Sequence, residues 1–192
     1  MFEDIDLVLM SRSPRRRQLL EDAGFHFRAL ESTAKEICPP VLHREEIPVF
    51  LSNIKAESFP ETCGPKTLII GADTIVWAGG KALGKPASKE EAADMLRLLA
   101  GNVHEVITGV TLKSRYCKRT FYNVTRVAFT ELSPKEIVHY IDNYHPFDKA
   151  GAYGIQEWIG LIGVKGIEGC FYNVMGLPVS QLYYEINRWE FR

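Results

Sequence analysis

A mixed α/β domain, with parallel strands early and antiparallel strands late, is the fold that this 192-residue chain predicts. Three features predict it. A short apolar strand feeds directly into a capped helix near the N-terminus, which is how α/β arrangements begin. Helical periodicity and β-rich runs then alternate. Two long β-rich segments separated by a few turn residues follow, the pattern of an antiparallel hairpin. The length suits one domain with two lobes at most, and is ample for a sizeable core.

Ile5 to Met10 make the first strand. It enters Ser11-Arg12-Ser13-Pro14-Arg15-Arg16, where Ser13 is a natural N-cap and the fixed φ of Pro14 suits a first helical position. Leu19, Leu20 and Ala23 repeat at helical spacing until Gly24 stops the helix. Ile47, Phe50, Leu51 and Ile54 fall at i, i+3, i+4 and i+7, so an amphipathic helix ends near Ser58, has Pro48 in its first turn and carries these four as its buried stripe. Leu68-Ile69-Ile70-Gly71-Ala72-Asp73-Thr74-Ile75-Val76-Trp77 reads as a buried or half-buried strand, and Gly79-Gly80 as a hairpin turn.

Ser88 and Glu91 form a capping-box pair after Pro86 and open a helix through Met95, Leu96 and Leu99 that Gly101 closes. Val103 to Lys113 and Cys117 to Phe129 are the hairpin strands. Ser133-Pro134-Lys135-Glu136 is a second capping box, starting a helix with Ile137, Tyr140 and Ile141 inward. Seven of the 15 glycines lie from Gly151 to Gly176, which marks a long irregular or bulged segment. Pro178 opens a last helix with Leu182, Tyr183 and Ile186 on one face.

Composition excludes several classes. With 46% hydrophobic and 24% charged residues the chain is an ordinary soluble globular protein. A net charge of −1 gives no global field for a nucleic-acid polymer or an acidic membrane surface, so a polyanionic ligand needs a local cluster of cations. The four cysteines are far apart, with no Cys-x-x-Cys, which argues against a zinc site or disulfide framework and for reduced thiols. Met1-Phe2-Glu3-Asp4-Ile5-Asp6 is acidic where a signal peptide is basic, and no apolar run approaches the roughly 20 residues of a membrane helix. The expectation is a soluble, cytoplasmic protein.

The chemistry starts from Asp73, a carboxylate inside one of the most apolar stretches of the chain. An ionised Asp without partners in such a place costs several kcal/mol or takes up a proton. Asp73 therefore faces a cation or sits where the strand bends to solvent. The Ser11–Arg16 turn suits a phosphate: helix-start N–H groups, the helix dipole, two hydroxyls, and the guanidinium groups of Arg15 and Arg16. The competing reading is a capped helix with a solvated basic turn, although cations there oppose the dipole.

Gly79-x-x-x-x-Gly84-Lys85 imitates a phosphate-binding loop, but Pro86 replaces the required Ser/Thr and has neither hydroxyl nor N–H, so that reading fails. Lys85 is either a held loop cation or a surface lysine in a turn. Asp148-Lys149-Ala150-Gly151-Ala152-Tyr153-Gly154-Ile155-Gln156 mixes charge with glycines that admit close approach to the backbone. The Gln156 amide donates and accepts side by side, matching a pyrimidine carbonyl and ring N–H, and it pairs equally with adenine. Locally, Glu36 reads as surface and Lys55 as the edge of a helix stripe.

Taken in order, these segments resemble the Maf family of nucleoside triphosphate pyrophosphatases. The motifs are Ser11-x-Ser13-Pro14-Arg15-Arg16, Lys55-Ala56, Gly71-Ala72-Asp73-Thr74-Ile75-Val76, Gly84-Lys85-Pro86, Thr108-Gly109-Val110, Asp148 to Gln156, and Gly176-Leu177-Pro178. They span nearly the whole chain, so residues 1–192 read as a single domain of that family. The segment from Asp148 to Gln156 looks like the branch acting on dTTP and UTP. One departure is Arg12, where the family usually has a small residue.

The resemblance implies a Maf/ITPase-like fold, an elongated twisted mixed sheet flanked by helices with two lobes about a central groove, commonly in a homodimer. It implies a metal-dependent enzyme that splits a nucleoside triphosphate between the α- and β-phosphates. Asp73 and Glu36 would hold Mg²⁺ or Mn²⁺, and Asp73 would accept the proton of the attacking water. Lys85 is the second catalytic group. Ser11, Ser13, Arg15, Arg16 and Lys55 would bind substrate, and Gln156, Thr74 and Arg15 match positions linked with base and substrate preference. The alternative is a regulator of cell division that senses triphosphates without hydrolysing them, in line with the family's association with septum formation.

Overall fold

The computed structural model describes residues 2, 4–60 and 62–191; Met1 and Glu3 of the acidic N-terminal run lie outside the described residues. In chain order these form β1 (Asp6–Met10), α1 (Pro14–Asp22), β2 (Arg28–Leu30), α2 (Glu46–Glu57), β3 (Thr67–Ala78), β4 (Lys81–Leu83), α3 (Lys89–Leu99), β5 (Val103–Lys113), β6 (Lys118–Phe129), α4 (Pro134–Tyr144), α5 (Trp158–Gly163), β7 (Val164–Glu168), α6 (Phe171–Met175) and α7 (Val179–Asn187). Among the described residues a seven-stranded sheet runs in the order β2-β1-β3-β5-β6-β7, with β4 paired to β3. β1 is parallel to β2 and β3, whereas β3–β4 and β6–β7 are antiparallel. The sheet is mixed, as expected.

By internal packing the chain forms two units, Met1–Asp73, Thr108–Asn123 and Gly176–Arg192 making the first, and Thr74–Ile107 with Val124–Met175 making the second. In the first, Val8, Met10, Ala56 and Ile69 form a buried cluster that Leu30, Phe59 and Cys63 flank. In the second, α3 and α4 bury Ala92, Leu96, Leu99, Ile137, Tyr140 and Ile141 together with Val76, Val106, Val127 and Phe129 of the strands.

Local signals set most element ends. Ser13 Oγ accepts the Arg16 N–H at 3.4 Å and caps α1, with Pro14 as its first residue. α4 has the full reciprocal box: Ser133 Oγ accepts from Glu136 N–H at 3.3 Å and Glu136 Oε2 from Ser133 N–H at 2.6 Å. α3 departs from the expected box. Ser88 Oγ does accept the Glu91 N–H, but the Glu91 carboxylate takes the N–H of Ala87 at 2.7 Å, one residue before the cap. Gly79 and Gly80 adopt φ of 57° and 77°, the left-handed backbone that the β3–β4 turn requires. The β5–β6 connection closes with Ser114 N–H donating to Cys117 O at 2.8 Å.

Three expectations are corrected. The fully buried face of α2 is Pro48, Leu51, Ser52, Lys55 and Ala56, rotated from the apolar stripe, and of that stripe only Leu51 is fully buried. The cause is steric: a Cβ on Gly109 would collide with the Pro48 carbonyl and one on Gly71 with the Ser52 carbonyl, so glycines let the helix backbone lie on β3 and β5 with small residues beneath it. The glycine-rich segment is not irregular throughout. It holds a 3-10 turn at Ala150–Ala152, then α5, β7 and α6, with a register shift in the β6–β7 pairing between Ala128 and Phe129. On α7, Leu182 and Ile186 are buried but Tyr183 is 38% exposed, its ring edge-on to Phe25 at 6.2 Å.

Candidate active site

The seating of α2 on β3 determines where its lysine goes. Gly71 and Asp73 lie two residues apart on β3, so they share a face of the strand. A Cβ at Gly71 would come within 2.7 Å of the Ala56 nitrogen, which shows how near the helix axis lies. From that height Lys55 Nζ reaches Asp73 Oδ1 at 2.5 Å. The same ammonium meets Glu36 Oε1 at 3.1 Å. Lys55 is 9% exposed at its side chain, Asp73 13% and Glu36 53%, so the pair is largely shielded and the third group stands toward water. Asp73 thus faces a cation from within an uninterrupted strand, the first of the two arrangements open to it.

The turn between β1 and α1 completes this cluster in the same unit. Ser11 is buried, and its Oγ accepts the Ser13 N–H at 3.2 Å and Arg16 Nη1 at 3.3 Å. Arg16 is not a solvated first-turn cation: it is 9% exposed, and its Nε donates to the Gly176 carbonyl at 2.8 Å. Burial pulls its guanidinium below the ordinary value, Asp73 opposes that shift, Arg15 adds to it and Glu36 opposes it. Arg16 therefore lies within the fields of Asp73, Arg15 and Glu36, and the basic turn and the carboxylates form one electrostatic group. Arg15 is half-buried. Arg12 is exposed and pairs with Glu31.

The second unit holds the remaining candidates. Lys85 follows β4, is exposed, and among the described residues has no ion-pair partner. Its loop is held by Gly151 N–H donating to Gly84 O at 3.0 Å, while the neighbouring Pro86 is buried. This is a loop between a hairpin strand and α3, not a phosphate-binding loop. Thr74 is half-buried on β3. Gln156 is exposed at the end of a run in which residues 151–155 are buried.

The sequence reading passed over two contributors. Cys38 carries no signal of its own in the sequence, yet burial and then the Asp73 charge push its thiol above the ordinary value. The Gly176 carbonyl fixes Arg16 from 160 residues away, and only the family motif hinted at that glycine.

Two carboxylates that converge on one cation, one shielded and one exposed, are a donor set that fits a hard divalent ion. Mg²⁺ is commonly bound by one or two carboxylates together with substrate phosphates and waters. Among the described residues no group of three or more His, Cys, Asp or Glu could form an all-protein cage. Asp73 and Glu36 are thus the residues that would hold such an ion.

The chain belongs to the Maf family: the model described as Maf-like protein matches residues 6–189. It is 54% identical over 183 residues to a Cytophaga hutchinsonii protein named dTTP/UTP pyrophosphatase, covering 95% of this chain and 84% of that one. It is 47% identical to a Bacteroides fragilis protein of the same name, covering 95% of each. Among solved structures it is similar to the Staphylococcus aureus Ham1 protein, with 13% identity, a TM-score of 0.44, and coverage of 95% of this chain and 100% of that one.

Proposed function

We propose that the protein is a nucleoside triphosphate pyrophosphatase acting on dTTP and UTP, releasing the nucleoside monophosphate and pyrophosphate. The observation that carries the reading is Asp73, paired with a Lys55 that also meets Glu36 and exerting its charge on Arg16, in a chain about half identical to proteins named for this activity.

The chemistry follows from the residues. A water oxygen bonds to phosphorus, the α–β anhydride P–O bond breaks, and the water's proton passes to the Asp73 carboxylate. Lys55, whose ammonium lies 2.5 Å from Oδ1, aims that carboxylate. Charge builds on the leaving pyrophosphate, and Arg15, Arg16 and Lys85 offset it. The Ser11 and Ser13 hydroxyls, at the positive end of the α1 dipole, donate to a phosphate oxygen. A divalent ion held by Asp73 and Glu36 would supply Lewis-acid polarisation of the phosphate. Gln156 meets the base, where its amide matches the carbonyl and ring N–H of uracil or thymine. The proposal extends to a cytoplasmic homodimer, the assembly that the resemblance implies.

Pyrophosphate release from a panel of triphosphates with Mg²⁺ or Mn²⁺ tests the reading. Release is expected with dTTP and UTP. No release from any nucleotide at micromolar enzyme rejects it, and bound triphosphate recovered intact after long incubation with metal supports the division-linked sensor instead.

A further inference from the structure

Gln156 lies on an exposed turn whose two ends are tied to the same buried tyrosine. Tyr140, on α4, is fully buried. Its hydroxyl donates to Glu157 Oε2 and accepts the Gly154 N–H at 3.0 Å. The other Glu157 oxygen takes Lys149 Nζ at 3.1 Å, and that ammonium, 7% exposed, also meets Asp148 Oδ1 at 2.7 Å. Glu157 N–H donates back to Gly154 O at 3.0 Å. A Cβ on Gly154 would lie 2.8 Å from the Glu157 carboxyl carbon, so the carboxylate is packed against the turn. The residues flanking Gln156 are thereby tied to each other and to α4.

We propose that Tyr140, Glu157 and Lys149 form a positioning network that fixes the Gln156 backbone and thereby sets which nucleobase the protein prefers. The inference rests on the proposed reading in which Gln156 meets the base. An amide on a loose turn can present its donor and acceptor in either order, whereas one on a fixed backbone presents a single order and so selects. Glu157 precedes α5 but makes no side-chain cap bond to it, so the carboxylate is not there to start that helix. Burial and the neighbouring Glu157 hold the Tyr140 phenol protonated far above neutral pH, so it remains a donor throughout the working range.

The test is the ratio of kcat/KM for UTP over CTP in the wild type, Tyr140→Phe and Glu157→Gln, each with and without Gln156→Ala. Tyr140→Phe is expected to lower the ratio by about fivefold or more, through KM for UTP. Glu157→Gln keeps an oxygen for the Tyr140 hydroxyl and is expected to lie nearer the wild type. In the Gln156→Ala background Tyr140→Phe should add nothing to the ratio, because coupled residues act as one. If Tyr140→Phe does not fold, Glu157→Ala takes its place. The inference is overturned if the variant lowers kcat for both nucleotides with the ratio intact, or keeps its effect without Gln156. Calorimetry with α,β-methylene UTP and CTP separates the two claims. A wild type that hydrolyses nothing but binds the uridine analogue selectively, with a selectivity that Tyr140→Phe weakens, rejects the pyrophosphatase and supports this inference, while equal affinity for the two analogues, or a selectivity unchanged by Tyr140→Phe, overturns it.

Discussion

Lys55 Nζ lies 2.5 Å from Asp73 Oδ1, and both side chains are largely withdrawn from water. The pair joins stability to chemistry, since the group that neutralises the carboxylate in the folded protein is also the one that aims it.

Lys55→Met should leave Asp73 shielded without its counter-charge and cost about 2–3 kcal/mol, below the roughly 3–5 kcal/mol of a fully buried broken pair because Asp73 keeps some exposure. Adding Asp73→Asn should restore most of the loss. Urea unfolding of both variants and the double variant measures the coupling; additive losses would mean that the two groups do not interact.

Asp73→Asn alone should retain the fold and lose about 10²–10⁴-fold in turnover, the usual scale for a missing general base. Pyrophosphate release under saturating nucleotide, with circular dichroism as the control, is the measurement. Turnover within a few-fold of the wild type would remove Asp73 from the role assigned to it.

Glu36→Gln should raise the Mg²⁺ or Mn²⁺ concentration needed for half-maximal activity by about tenfold or more. Glu36 is 53% exposed, so the melting temperature should hardly move. A metal titration of activity at fixed nucleotide checks this, and EDTA should abolish release altogether.

Gly71→Ala should destabilise by about 1–3 kcal/mol or more, because the new methyl meets the Ser52 carbonyl and the Ala56 nitrogen and α2 must lift. Gly166→Ala, where nothing lies within 4 Å of the added carbon, serves as the control and should be within about 0.5 kcal/mol of the wild type. Lifting α2 also withdraws Lys55, so Gly71→Ala should lose activity before it loses its fold.

His104 predicts the acid limit. It is 2% exposed, its Nε2 pairs with Tyr153 Oη at 2.7 Å, and the Phe129 and Tyr153 rings stand edge-on to it at 5.1 and 5.3 Å. Burial lowers its pKa from 6.5 to about 4. Between those values the unfolded chain binds a proton that the folded protein refuses, so stability falls as the pH drops from about 6.5 to about 4 and then levels off. The full effect is about 3 kcal/mol. Denaturation midpoints from pH 7.5 to 4.5 should show this slope, and His104→Gln should flatten it.

What could be foreseen in the sequence was whatever depends on neighbours in the chain. The caps at Ser13 and Ser133, the turn at Gly79-Gly80 and the β5–β6 hairpin are set by residues within a few positions, and they appear where expected. The burial of Lys55 was not legible from α2 alone. It follows from glycines on two strands that let the helix sit low and turn its apolar stripe aside. The short helices after Gly151 were hidden for a related reason. Glycine weakens helix propensity, and elements of five or six residues form through tertiary contacts rather than periodicity. In the candidate site the motif residues were legible as a set, but the partner of Arg16 was not, because a carbonyl carries no sequence signature.

The Gly176 carbonyl holds a side chain that lies 160 positions away along the chain. A stretch of chain that stops short of Gly176 would have the strands and carboxylates of this site but would lack that anchor on Arg16. The final placement of this arginine would therefore wait until segments 160 positions apart have met, after much of the hydrophobic interior has assembled.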